Sequence, residues 1–163
     1  MARVRQAECP DQEVRFQVRL ELTREADYAI RAMLALAAHE GEAPLSSRRI
    51  ADQWRIPQRF LVQVLGRLSE RGLVAPVLGR NGGYLLARPA AQISLLDIVT
   101  AVVSRPQEQR CVLRGSPCTP SNACLVHEAF TAARGQFVEE LAGRSLETVL
   151  ASPGWRPEAE RPA

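Results

Sequence analysis

The stretch from Arg110 to Phe130, RCVLRGSPCTPSNACLVHEAF, holds Cys111, Cys118, Cys124 and His127 in the spacing Cys-x6-Cys-x5-Cys-x2-His, and the one other cysteine is Cys9. Glycine, proline, serine and asparagine fill the gaps, so the segment reads as a loop. Three thiols and an imidazole on one loop can hold zinc, hold an iron–sulfur cluster or act as redox thiols. Zinc knuckles use Cys-x2-Cys pairs, which let one tight turn offer two ligands to a small tetrahedral ion. No such pair occurs here. Wider gaps suit a larger object, thiolates are soft ligands that iron–sulfur clusters favour, and a histidine can replace a cysteine at an iron. On the residues alone the three uses stay open. Cys9 lies outside the motif and reads as incidental.

Catalytic use of these thiols would need a Cys-x-x-Cys pair or a cysteine beside a positioned base. His39 and His127 are the only histidines, and neither a phosphate loop nor paired catalytic carboxylates appear. The chain is therefore expected not to be an enzyme and to take no small-molecule substrate. No apolar run reaches the length of a membrane span, and the N-terminus lacks the apolar region of a signal peptide. A cytoplasmic protein without membrane contact is expected, where thiols stay reduced and metal or redox roles outweigh structural disulfides.

The elements that must position the cysteines are mostly helices. Thr23 can cap a helix running to about His39, with Ala26, Ile30, Met33, Leu34 and Ala37 at helical spacing. Ser46 or Ser47 can cap a short helix, RRIADQW, followed by a turn at Arg55 and Ile56. Pro57 then suits a first helical position, and the next helix ends at Gly72. Within it Phe60, Leu61, Val64, Leu65 and Leu68 form an inward stripe, while Arg59, Val62, Gln63 and Gly66 lie opposite. A hairpin follows, its apolar runs at 73–78 and 84–87 flanking GRNGG. Asn-Gly signals such a turn because both residues tolerate positive φ.

Charge points to the partner of this region. From Ser46 to Arg88 there are eight arginines against two acids, although the whole chain carries only +3. A basic module favours a polyanion. Two short helices and a hairpin with Arg80 at its tip make a winged helix, and Arg59, Gln63 and Gln58 stand where a recognition helix meets base edges in a major groove. Ser47, Arg49, Arg67 and Arg80 are expected on phosphates.

The segments LTREADYAIRAMLALA, IPQRFLVQVLGRLSERGLV, GRNGGYLLARP and ISLLDIVTAV, followed by three spaced cysteines, resemble the IscR/NsrR superfamily of bacterial winged-helix transcription regulators from about Leu20 to Ala151. The resemblance implies a homodimeric repressor on a pseudo-palindromic DNA operator. It also implies an iron–sulfur cluster on Cys111, Cys118 and Cys124, and so moves the weight from zinc or bare thiols to a cluster that senses iron, redox status or nitric oxide. His127 matches the histidine ligand of one branch and favours [2Fe–2S], with [4Fe–4S] as the alternative. Asp27 matches the aspartate that another branch supplies from the opposite protomer; the plain alternative is an i,i+4 pair with Arg31. Three positions depart from the family pattern: the first cysteine gap is one residue longer, Leu78 stands where an arginine often precedes the wing turn, and Val62 replaces a frequent acid.

The expected organisation is a loosely ordered extension at 1–20, a winged helix-turn-helix domain at 21–104, a cluster-binding loop at 105–124, a dimerisation helix with a short terminal helix at 125–151, and a disordered tail at 152–163. The fold class is mainly α, with a small β-hairpin wing and a long C-terminal helix. On that helix Val126, Ala129, Phe130, Ala133, Phe137 and Leu141 form an apolar stripe that a second copy would cover, with Phe130, Phe137 and Leu141 at the interface.

Overall fold

The computed structural model describes residues 22–103, 113, 118–119 and 122–153. The extension at 1–20 with Cys9, Cys111 and the tail from 154 onward lie outside the described residues.

Local signals start the helices where the sequence suggests. The hydroxyl of Thr23 accepts from the Ala26 amide at 3.2 Å and opens α1, Arg24–Ala37. Ser46, not Ser47, caps α2, Ser47–Trp54, by accepting from Arg49 N–H. The third helix, α3, spans Gln58–Glu70 with Pro57 as its N-cap, so it starts one residue later than expected. It stops at Gly72, whose φ of 66° lets Leu73 N–H return to the Leu68 carbonyl at 2.9 Å.

The hairpin pairs β1, Val74–Val77, with β2, Gly83–Leu86, antiparallel, Val74 facing Leu86 and Val77 facing Gly83. Its turn differs from the expected one. Gly79 takes the positive φ, 114°, while Asn81 and Gly82 do not. A third segment joins this sheet edge: Leu45 and Tyr84 exchange both backbone hydrogen bonds. That close approach explains the paired glycines, because a Cβ on Gly83 would overlap the Leu45 carbonyl and one on Gly82 the Val77 carbonyl.

After a 3-10 turn at Ala90–Gln92 comes α4, Leu95–Val102. Its start is a capping box: Ser94 Oγ accepts from Asp97 N–H, and Asp97 Oδ2 accepts from Ser94 N–H at 2.9 Å. Beyond the cysteine segment run α5, His127–Ala142, and α6, Leu146–Leu150. The end of α5 returns to the start of α4, where Leu95 N–H bonds the Arg144 carbonyl and Leu146 N–H bonds the Ile93 carbonyl, both at 2.9 Å. Leu146 is fully buried in the core.

The core centres on α1. Every residue from Ala32 to Ala37 is buried, because α2, α3, α4, α6 and β2 all pack on this helix. Ile30, expected inside, is half-buried, whereas Ala29 and Ala35 are fully enclosed. Leu61, Leu65 and Leu68 of α3 and Ile98 and Val102 of α4 complete the centre. None of the α5 residues is buried.

The capping box carries a pH dependence. The backbone N–H of Ser94 lowers the Asp97 pKa below 3.8, with help from the Ser94 hydroxyl and the Arg88 charge, against an opposing effect of burial. A depressed folded pKa gives stability that is full above the unfolded value and lost as pH falls through the folded one. Ser94→Ala should therefore lower stability by about 1 kcal/mol at neutral pH. Asp97→Asn should also destabilise there and should show a flatter loss than wild type between neutrality and pH ~3, both read from urea midpoints.

Candidate nucleic-acid interface and metal-ligating segment

The turn between α2 and α3 sets the angle of α3, the helix expected to read DNA. Arg55 closes α2 in the left-handed region at φ 51°, the one described non-glycine residue with positive φ. Ile56 then buries its side chain and returns its N–H to the Ala51 carbonyl at 3.0 Å. Two expected DNA contacts tie the helices together outside this turn: Gln58 Nε2 donates to Ser47 Oγ at 3.0 Å. Arg49 stands exposed in the first turn of α2.

On α3 the inward stripe holds for Leu61, Val64, Leu65 and Leu68 but not for Phe60, which stays 36% exposed. Position 60 faces the first half of α1 rather than the core. There Phe60 meets Tyr28, ring centroids 5.9 Å apart, and carries the Arg59 guanidinium 4.6 Å above its own ring. This contact was missed in the sequence, where the signal was an aromatic at the margin of the stripe beside an arginine. It matters because stacking occupies the face of the guanidinium and leaves its in-plane donors outward. Val62, Gln63 and Gly66 are exposed on the same side of α3. Behind them lies a cavity of about 80 Å³ between α1 and α3, lined by Tyr28, Phe60, Gln63, Val64 and Arg67 among others.

At the wing Arg80 is exposed, and Leu78 beside it is 94% exposed. Arg67 sits differently from the other expected phosphate ligands. Its Nη1 donates to Glu25 Oε2 at 2.9 Å and to the Val102 carbonyl at 2.8 Å, inside the protein's own framework. Asp27 likewise has a partner in its own helix, accepting from Arg31 Nε at 2.9 Å.

Of the metal-ligating set, Cys118, Cys124 and His127 are described and all are half-buried. His127 opens α5, and its N–H bonds the Cys124 carbonyl at 3.1 Å, which places the imidazole residue one turn after that thiol. The stripe on α5 is open: Phe130 is 42% exposed, Ala129 and Ala133 are exposed, and Val126, Phe137 and Leu141 are half-buried.

This arrangement of two helices, a hairpin and a cysteine-bearing segment agrees with the comparisons. Residues 22–152 match the model of the Rrf2 family, described as an iron-dependent transcriptional regulator. The chain belongs to the Rrf2 family. The HTH-type transcriptional regulator IscR of Xenorhabdus nematophila is 32% identical over 131 residues, 80% of this chain and 79% of that protein. The IscR of Serratia proteamaculans is 36% identical over 108 residues, 66% and 65% of the two chains. Among solved structures, T. potens IscR superposes with a TM-score of 0.66 at 28% identity, covering 81% of this chain and 87% of that one. CymR, the global cysteine regulator of B. subtilis, superposes at 0.69 with 26% identity, covering 82% and 98%. The Rrf2 family is one of DNA-binding transcriptional regulators, not of enzymes, and this chain is such a regulator. Among the described residues no helix is long and apolar enough to cross a membrane.

Proposed function

We propose that the protein is a homodimeric, cytoplasmic repressor that binds a DNA operator and whose affinity is set by an iron–sulfur cluster. The observation that carries the reading part is the outward face of α3, where Phe60 supports Arg59 and Gln63 stands exposed four residues on. Arg59 and Gln63 read base edges, with Gln58 behind them, while Ser47, Arg49 and Arg80 hold the backbone. Gln63→Ala should cost about 1–3 kcal/mol at the cognate site and flatten discrimination between sequences. Arg80→Ala should weaken all duplexes and reduce the salt slope by about one unit. Filter binding at several salt concentrations separates the two; unchanged sequence preference in Gln63→Ala would mean that another face enters the groove.

The open stripe on α5 supports the dimer. A helix of 16 residues that packs on α4 without burying a side chain has little to hold it in water, and a second copy supplies the missing cover. Phe130→Asp combined with Phe137→Asp should give a monomer in sedimentation with sharply reduced operator affinity, because each half-site alone binds weakly. A dimer that persists through both changes would place the interface elsewhere.

The donor chemistry of the segment fits an iron–sulfur cluster: thiolates at Cys118 and Cys124, the His127 imidazole one turn further on, and Cys111 from the sequence motif. When bound, such a cluster supplies a cross-link that responds to oxidants, iron supply or nitric oxide. We place the fourth bond at His127, favouring [2Fe–2S], because Asp27 already accepts the Arg31 guanidinium. Protein purified without oxygen should be brown and contain iron with acid-labile sulfide. The electron paramagnetic resonance spectrum of the reduced protein should change on His127→Ala and stay the same on Asp27→Ala. The reverse would make the ligand Asp27 and the cluster a bridge between protomers, as a [4Fe–4S] centre allows. Colourless protein with stoichiometric zinc would instead establish the second reading, a zinc-stapled or thiol-redox regulator, which the likeness to a cysteine regulator keeps in view.

A further inference from the structure

Arg67 is the one residue of the reading helix whose guanidinium is spent inside the protein on two other helices. Its partners are specific in place. Val102 is the last residue of α4, its side chain fully buried. Its carbonyl is one of the four that an α-helix leaves unsatisfied at its C-terminus. The helix ends there in extended backbone, Val103 at φ −72° and ψ 105°, without a glycine cap. The Arg67 cation caps that end from outside, where the helix dipole favours positive charge. Two residues after Val102 the chain enters the segment that carries Cys111. The second partner, Glu25, lies in the first turn of α1, two residues before Asp27. One side chain on α3 therefore holds both the exit toward the cysteines and the start of the helix that carries the alternative ligand.

Along α3, Arg67 lies four residues after Gln63 and eight after Arg59, on one side of the helix. A shift of the end of α4 is thus delivered to the same stretch of α3 that carries the reading residues. We infer that Arg67 is the positioning residue that couples the cysteine segment to the recognition helix, and not a phosphate contact. Phosphate capture would require it to leave a carboxylate and a helix-end carbonyl at once, both at charge-assisted hydrogen-bond distance. The inference rests on the reading above, in which α3 meets DNA and the cysteine segment senses.

Coupling is reciprocal, so DNA bound at α3 must be felt at the cysteines even without a cluster. The test uses the full-length, cluster-free, reduced protein and a duplex that the wild type selects from a random pool. Alkylation rates of Cys111, Cys118 and Cys124 by N-ethylmaleimide are followed by peptide mass spectrometry with and without that duplex. In wild type the duplex should change at least one rate by roughly fivefold or more. In Arg67→Met the change should vanish while the melting temperature shows a folded chain and duplex binding persists at low salt. Arg67→Lys should restore part of the response, since an ammonium can reach one partner but lacks the fork. Glu25→Gln, which removes only the charged partner, should also weaken it, and these two variants carry the test if Arg67→Met does not fold. Thiols that respond equally in wild type and Arg67→Met, or not at all in wild type, would overturn the coupling. So would an Arg67→Met whose sole defect is a salt slope reduced by about one, the mark of a lost phosphate contact. If wild type selects no duplex, the DNA reading itself falls, an outcome separate from the others.

Discussion

The close packing of four helices and a strand around α1 is the constraint from which the other positions follow. Alanines at 29, 32 and 35 are fully buried, and their small side chains let neighbouring elements approach the α1 backbone. Once α2, α3, α4, α6 and β2 share one central helix, none can move without disturbing a close-packed contact. The apolar stripe of α3 is used up against this centre. What remains of α3 must face outward, and it is there that Arg59, Val62, Gln63 and Gly66 stand. This outward face, the proposed reading surface, is what a packing solution leaves over, with Phe60 as the one aromatic held half outside to support an arginine.

Stability is distributed unequally along the chain. The domain from α1 to α4 has its own caps, a capping box at Ser94 and a continuous core. The helix α5 has no buried side chain and begins without a side-chain cap. Helices of this length are marginal in water without tertiary cover. Caps and core together therefore hold the α1–α4 domain, whereas α5 depends on something packed against it.

How much of this was legible in the sequence depends on how local each cause is. Thr23, Ser94 and Gly72 act within three to five residues of themselves, and the helix limits they imply are those observed. The hairpin was legible through its apolar runs, but its turn was not: the Asn-Gly pair pointed to the wrong residues, since the positive φ falls at Gly79, and the bare backbone at Gly83 serves the pairing of Leu45 with Tyr84. That contact joins residues far apart in the chain and leaves no local pattern. Phe60 was misplaced for the same reason, read as core by its period, and the partners of Arg67, expected on phosphate, were not legible either. Their partners, Tyr28, Glu25 and Val102, lie on other helices. Ser47, Gln58 and Arg80 were placed by motif, and the structure leaves Gln58 and Arg80 exposed and Ser47 half-buried.

Geometry also limits how the cysteine segment can influence anything. The chain leaves the domain at Val102 and returns at Arg144 and Leu146, which bond Leu95 and Ile93 at the start of α4. The described ends of the stretch 103–144 thus both meet α4, one at its last residue and one at its first. Among the described residues, these two ends and the packing of α5 on α4 connect the stretch to the rest of the protein. The returning end is fixed by two backbone hydrogen bonds and a buried leucine, so it resists displacement. The departing end is held by the Val103 amide on Val99, by the fully buried Val102 side chain and by one guanidinium from α3. The guanidinium of Arg67 joins the departing end directly to α3, while in the proposed dimer the orientation of α5 and a partner copy would set how far apart two such helices stand. On that proposal, operator half-sites one turn apart, ~34 Å, would demand both that spacing and the pose of each helix upon its domain, so a change at the cysteines would need to alter only one of them to be read as a change in affinity.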